Sequence, residues 1–256
     1  MIGESITFKG VYDSSVTKNT LTDWALIPLT KLVVAPPPFK SNYANLEGMS
    51  GELDMSAVNG LNFGNRRGTW QFKLQPGVSG KDFDTVRFDM IDFLHGGKFD
   101  ITLSTDSSNC YYQGRIMVDD WRSTNTGEYI TLSYILEPFR FDPTTEIDAT
   151  YTLSGSNKTK TVSCTLTRMP SMPFIRVTPI SGTLTITYTP CVADGSTAYQ
   201  TTKTITSAGD VDTSDMIMYK SVSGSGMSEQ KSGVAQITFS VTTSCTIKFK
   251  YIGGRF

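Results

Sequence analysis

Histidine is nearly absent from this sequence of 256 residues: His95 is the only one. A single histidine excludes every site that needs two imidazoles, whether a metal cluster or a relay. Four cysteines, Cys110, Cys164, Cys191 and Cys245, lie far apart without a C-x-x-C pair, so neither a zinc site nor a disulfide scaffold is indicated. They read as reduced, mostly buried thiols. Charge of one sign is also lacking. The formal net charge is −1, which leaves none of the basic excess that phosphate neutralisation demands of a nucleic-acid binder. No stretch approaches the roughly 20 apolar residues of a membrane helix, and "MIGESITFKG" has no charged segment followed by an apolar run. The expectation is a soluble protein made in the cytosol.

What is present is a hydrophobic content of 38% over a length that suits one large or two modest domains. Residues 1–142 hold 13 Lys and Arg against 17 Asp and Glu, a balance of −4, whereas residues 143–256 hold 10 against 7, a balance of +3. All three tryptophans, Trp24, Trp70 and Trp121, fall in the first part; the second is crowded with Ser and Thr. "EPFRFDPTTEI" is the expected junction, with Pro143 ending the strand before it. Two domains, 1–142 and 143–256, are therefore predicted.

The first is strands with one inserted helix. "GELDM" and "TWQFKL" alternate with a period of two, placing Leu53 and Met55 on one strand face and Trp70, Phe72 and Leu74 on another. From Lys81 to Leu94 the period changes. At about 100° per residue, Phe83, Val86, Met90, Phe93 and Leu94 form one stripe flanked by Ile91, opposite Lys81, Asp84, Thr85, Asp89 and Asp92. Gly96 and Gly97 then supply the left-handed geometry that closes a helix. His95 would stand in the last turn, where it suits the unsatisfied carbonyls and the negative end of the dipole. "KFDITLS", "CYYQGRIMV" and "EYITLSYIL" follow as an antiparallel meander. The second part is all strand: "SCTLT", "FIRVTP", "GTLTITYTP", "AYQTTKTI", "MIMYKSV", "AQITFSV" and "TIKFKYI" are short, β-branched and separated by turn clusters, the pattern of a β-sandwich. The fold class is mainly β.

Catalytic constellations are scarce. Asp119 and Asp120 are adjacent and read as turn residues beside Trp121; Asp89 and Asp92 share a helix face and read as a solvated surface. No G-x-S-x-G, H-E-x-x-H or phosphate-binding glycine loop occurs. No enzyme activity, metal or cofactor is expected.

Interaction residues stand out more clearly. "NRRG" presents Arg66 and Arg67 either as a solvated turn or as partners for an acidic face of a neighbouring subunit. "VVAPPPFKSNYANLEG" is proline-stiffened and cannot be an internal helix; it is a surface crossover or a subunit-bridging arm, with Phe39 and Tyr43 beyond the prolines. Phe88 breaks the helix pattern, pointing about 140° from Phe83 into the aspartate arc. It packs either beneath a loop of its own chain or into a neighbouring subunit. The second is the expectation, with Asp89 and Asp92 as a polar rim meeting Arg66 or Arg67 of the neighbour.

The blocks "SITFKGVYDSS", "DWALIPLTKLVVAPPPFKSNYANLEGMSGELDMS", "FGNRRGTWQF", "FLHGGKFDITLSTDSSNCYYQGRIMVDDWRS" and "ITLSYILEPFRF", in that order, resemble the distal tail proteins of long, non-contractile-tailed bacteriophages and their prophage relatives. "RMPSMPFIRVTPISGTLTITY" and "IKFKYIGGRF" extend the likeness into the second part. The resemblance implies a β-sandwich-like ring domain carrying the helix, then a galectin-like β-sandwich. It also implies a homo-hexameric ring at the distal end of the tail tube, in the virion, assembled in the host cytoplasm. Its partners would be the major tail tube protein, the tail-tip or baseplate hub protein and, in some phages, receptor-binding proteins. DNA would pass through the ring without specific binding, and a first domain at −4 agrees with a channel that does not hold the duplex. A galectin-like fold keeps open an alternative role as a carbohydrate-binding module, although the second domain has neither histidine nor tryptophan. Tyr151, Tyr188, Tyr199, Tyr219 and Tyr251 are its candidate platforms, with Tyr188 and Tyr251 read as core or sheet-face residues.

Overall fold

The protein's computed structural model describes residues 3–13, 15–40, 43–45, 52–54, 62–78, 80–106, 109–167, 169–190, 200–218 and 234–255. They are mainly β-strand, with a single α-helix among the described residues. The contacts divide the chain into two units, one of residues 1–40, 62–141 and 256, the other of residues 41–61 and 142–255.

The first unit begins with β1 (Ile6–Gly10), β2 (Thr17–Asn19), β3 (Leu26–Pro28) and β4 (Phe39–Lys40). A two-stranded pair, β5 (Tyr43–Asn45) with β6 (Glu52–Asp54), belongs to the second unit. The chain then returns through β7 (Asn62–Phe63), which pairs with β4, and through β8 (Arg66–Leu74), α1 (Phe83–Leu94), β9 (Lys98–Leu103), β10 (Tyr111–Thr124) and β11 (Gly127–Ser154). The strand order is β2-β1-β9-β10-β11, continued by β8 on β11 and β3 on β8. Every pairing in that path is antiparallel, so each strand offers alternate side chains to one face. Those faces, Ile6 and Phe8 of β1, Trp70, Phe72 and Leu74 of β8, Phe99 and Ile101 of β9, Ile116 of β10 and Ile130 and Leu132 of β11, share one core with Val86, Met90 and Leu94 of α1. The helix packs against β10 and supplies the cover that a one-sided sheet requires.

The second unit is built from β12 (Lys158–Thr165), β13 (Phe174–Ser181), β14 (Leu184–Thr189), β15 (Thr201–Ile205), β16 (Gly209–Asp210), β17 (Val234–Val241) and β18 (Ser244–Arg255). One sheet runs β16-β13-β18-β11 and the other β12-β17-β14-β15. Their facing residues, among them Ile175, Val177, Ile247 and Phe249 on one sheet and Val162, Ile186, Ile237 and Phe239 on the other, make a single core, the arrangement of a β-sandwich.

Two elements differ from the sequence expectation. Pro143 does not end a strand: β11 continues through it to Ser154. Pairing with β10 stops at Tyr111↔Phe141, so that ladder asks nothing of the proline nitrogen. "MIMYKSV" is not a strand where it is described; Met216 and Met218 are fully buried, and Met218 makes an isolated bridge to Ser171. An apolar run of that length marks burial without fixing backbone conformation.

Candidate assembly surfaces

Strand β8 begins three residues before Thr69, and its alternation of buried and exposed residues therefore carries Arg66 to the core face with Trp70, Phe72 and Leu74. Arg66 is 3% exposed, which corrects its assignment to a solvated turn or a neighbour's acidic face. Its Nη1 donates to the carbonyl of Ala35 at 2.9 Å and its Nε to that of Pro138 at 2.9 Å, while the guanidinium lies over the Tyr112 ring. Burial pulls its pKa below the ordinary arginine value. The Ala35 N–H donates to the Tyr134 hydroxyl at 3.1 Å, and the Trp70 indole N–H donates to Val33 O at 2.9 Å. Tyr134 in turn packs at a tilt against Trp70, with ring centroids 4.2 Å apart. The segment before the prolines is thus fastened at successive backbone groups to the first unit's own core.

That fastening shapes a cleft of about 530 Å³ lined by Pro36, Pro38, Lys40, Gly64, Asn65 and Arg67. Its rims are joined where the Gly64 N–H donates to Pro38 O at 2.8 Å, and a side chain at Gly64 would crowd the Pro38 ring. Arg67, opposite in parity to Arg66, is exposed. Phe39 is 50% exposed and meets Phe63 edge-on at 6.0 Å. Tyr43 lies in β5, but its side chain is outside the described residues.

Helix α1 starts at Asp82, whose carboxylate accepts from the Thr85 N–H at 3.0 Å. Val86, Met90 and Leu94 are buried, and Phe88 is 56% exposed on the outer side. Among the described residues of the first unit no loop buries it. Asp89 is committed within its own chain, which corrects its place in an interfacial rim: it accepts from Lys18 Nζ at 2.6 Å and from the Trp24 indole at 2.6 Å. Burial raises its pKa, but the Lys18 ammonium, the Trp24 N–H and the charge of Lys81 outweigh burial and hold the carboxyl below the ordinary range. Asp92 is exposed. His95 caps the helix through its backbone, the N–H donating to Ile91 O at 3.1 Å, with Gly96 left-handed at φ 75°. Its side chain is exposed.

Two residues join this patch that sequence reasoning did not select. The Arg87 guanidinium lies 4.5 Å from the Phe88 ring centroid and 5.2 Å from that of Trp121, which is 41% exposed. Asp119 and Asp120 are not in a turn. They lie within β10, whose register slips between Val118 and Asp120, and the strand continues past Trp121 to Thr124. A run of polar residues resembles a turn in sequence when a strand is exposed on both faces.

In the second unit Tyr188 and Tyr251 are core residues whose hydroxyls donate to Ile217 O and Thr165 O. Tyr151 is half-buried with Lys160 over its ring, and Tyr199 and Tyr219 lie outside the described residues. Cys110, Cys164 and Cys245 are buried free thiols, and burial pushes Cys164 up to about 12. Cys191 lies outside the described residues. Among the described residues no cluster of His, Cys, Asp and Glu is placed to hold a metal, and no helix is long and apolar enough to cross a membrane.

No protein-family model and no curated protein sequence matches the chain. Among solved structures it is similar to the crystal structure of phage SPP1 Dit, described as a paradigm of the hub adsorption apparatus in phages infecting Gram-positive bacteria. The likeness has a TM-score of 0.51 at 13% identity and covers 97% of this chain and 98% of that one. The chain has the fold of SPP1 Dit. Because it spans the two proteins almost end to end, the likeness to Dit takes in the helix-bearing first unit and the sandwich of the second.

Proposed function

We propose that this chain is a structural protein of a phage tail tip that closes into a homo-hexameric ring at the distal end of the tail tube. The ring joins the tube protein on one side to the tail-tip or baseplate hub on the other and lets DNA pass. The observation that carries this reading is the end-to-end fold likeness to SPP1 Dit, a hub protein, in a chain whose sequence blocks resemble distal tail proteins. Its place is the virion, after assembly in the host cytoplasm, and its task is structural rather than catalytic.

In this reading residues 1–142 form the ring and residues 143–256 the outward galectin-like domain, which contacts receptor-binding proteins. Phe88 and Asp92 on the helix, and Phe39, Tyr43 and Arg67 around the proline segment, belong to contacts between subunits or with tail partners. The balance of −4 over residues 1–142 disfavours retention of a polyanion in the channel. Negative-stain images of the purified chain, alone and mixed with its tube and hub proteins, test the reading. Six-fold rings with an open centre are expected. A chain that stays monomeric with both partners present, or a saturable glycan-array signal from it, would favour a different role.

A further inference from the structure

Two surfaces of the first unit are opposites in shape and charge. On α1, Asp84, Phe88 and Asp92 are spaced four apart and so form one stripe, carboxylate, aromatic ring, carboxylate; Phe88 and Trp121 stand on either side of Arg87 as an exposed aromatic knob. The Asp84 side chain is 71% exposed and only weakly engaged by Arg87, at 3.6 Å. At the start of β8, the proline cleft has apolar walls, Pro36 and Pro38, and two exposed cations, Lys40 and Arg67.

We infer that the Phe88–Trp121 knob of one copy of this chain seats in the Pro36–Pro38–Lys40–Arg67 cleft of the next, with Asp84 and Asp92 meeting the two cations. The proposal deepens the ring reading and rests on it for the occupant being a second copy. Three features of the molecule favour it. Aromatic rings flanked by charge are the usual anchors of protein contacts, and proline rings offer flat apolar walls to receive them. The charges are complementary in sign, carboxylates at both ends of the knob's stripe against the two cations of the cleft, which favours encounter of these two surfaces. The cleft is also held in shape before any partner arrives, because Arg66 and Tyr134 fix Ala35 and Gly64 fixes Pro38, so little ordering cost falls on association. Knob and cleft are different surfaces of one chain, so the contact is head-to-tail and propagates from copy to copy.

The test uses the full chain, its tube and hub proteins, and two variants, Phe88→Asp and Arg67→Glu, followed by mass photometry and sedimentation velocity. Both residues are exposed, so circular-dichroism melting should match wild type. Each variant alone should associate ~tenfold or more weakly than wild type. An equimolar mixture should form a dimer that grows no further, because only one intact knob and one intact cleft remain to meet. The charge exchange Arg67→Glu with Asp92→Arg in one chain should recover part of the lost association. Rings formed equally well by wild type and both single variants would overturn the knob-and-cleft contact while leaving the ring reading in place. A wild type that never associates, with or without its partners, would overturn both.

Discussion

Arg66 Nη1 donates to the carbonyl of Ala35 at 2.9 Å, across 31 residues of sequence, from a position only 3% exposed to solvent. The same guanidinium holds Pro138 O, so one side chain ties the proline segment, β8 and β11 together. Replacing it with Met should deprive two part-buried carbonyls of their donor and cost ~2 kcal/mol. Arg66→Lys should recover less than half of this, since an ammonium lacks the fork that reaches both acceptors. Chemical denaturation of the three proteins checks the order; Arg66→Met as stable as wild type would refute it.

Asp89 joins α1 to β2 through Lys18 and to the Trp24 indole. Its folded-state pKa is depressed, so its contribution is present above the ordinary aspartate value of about 4 and is lost as pH falls through the lower folded value. Asp89→Asn should therefore melt below wild type at pH 7, with the gap narrowing as the pH drops below about 4. A gap independent of pH would show that packing, not charge, carries the effect.

Gly114 has no room for a methyl group. A Cβ there would lie 2.7 Å from Leu136 Cα and would press on the Ile135 carbonyl, both backbone atoms of the paired strand. Gly114→Ala should cost about 3 kcal/mol or abolish soluble expression, because backbone cannot yield as a flexible side chain would. The alanine at Gly77, where nothing stands within 4 Å, is the control, and its cost should be limited to the strain of its positive φ. Equal melting temperatures for the two variants would contradict this.

The thiols of Cys110, Cys164 and Cys245 are buried, and burial raises Cys164 to about 12. Little thiolate exists there at neutral pH, and reagents lack access. Alkylation of the native chain followed by peptide mapping should leave these three unmodified, with full labelling only in denaturant. Rapid native labelling of Cys164 would mean that the β-sandwich opens readily at β12.

Local periodicity is what the sequence determined by itself. A stripe at helical spacing can bury only one face, so Val86, Met90 and Leu94 had to point inward and Phe88 outward wherever the helix packed. Alternation likewise set Trp70, Phe72 and Leu74 on a single side of β8. The same alternation, carried back two more steps, buries Arg66. It went unread because a charged residue signals solvent until the tertiary structure reveals carbonyls waiting for it. Pro143 marked a boundary in sequence, and only the pairing pattern showed that the β10 ladder ends at Phe141, before the proline nitrogen. Asp89 looked free because its partners, Lys18 and Trp24, are 71 and 65 residues away. Trp121 had no assigned role in sequence because its neighbour Arg87 sits on another element. Sequence spacing determines which face a residue occupies; which charge or ring it meets there depends on contacts between distant segments, and those exist only once the sheet and helix close around a common core.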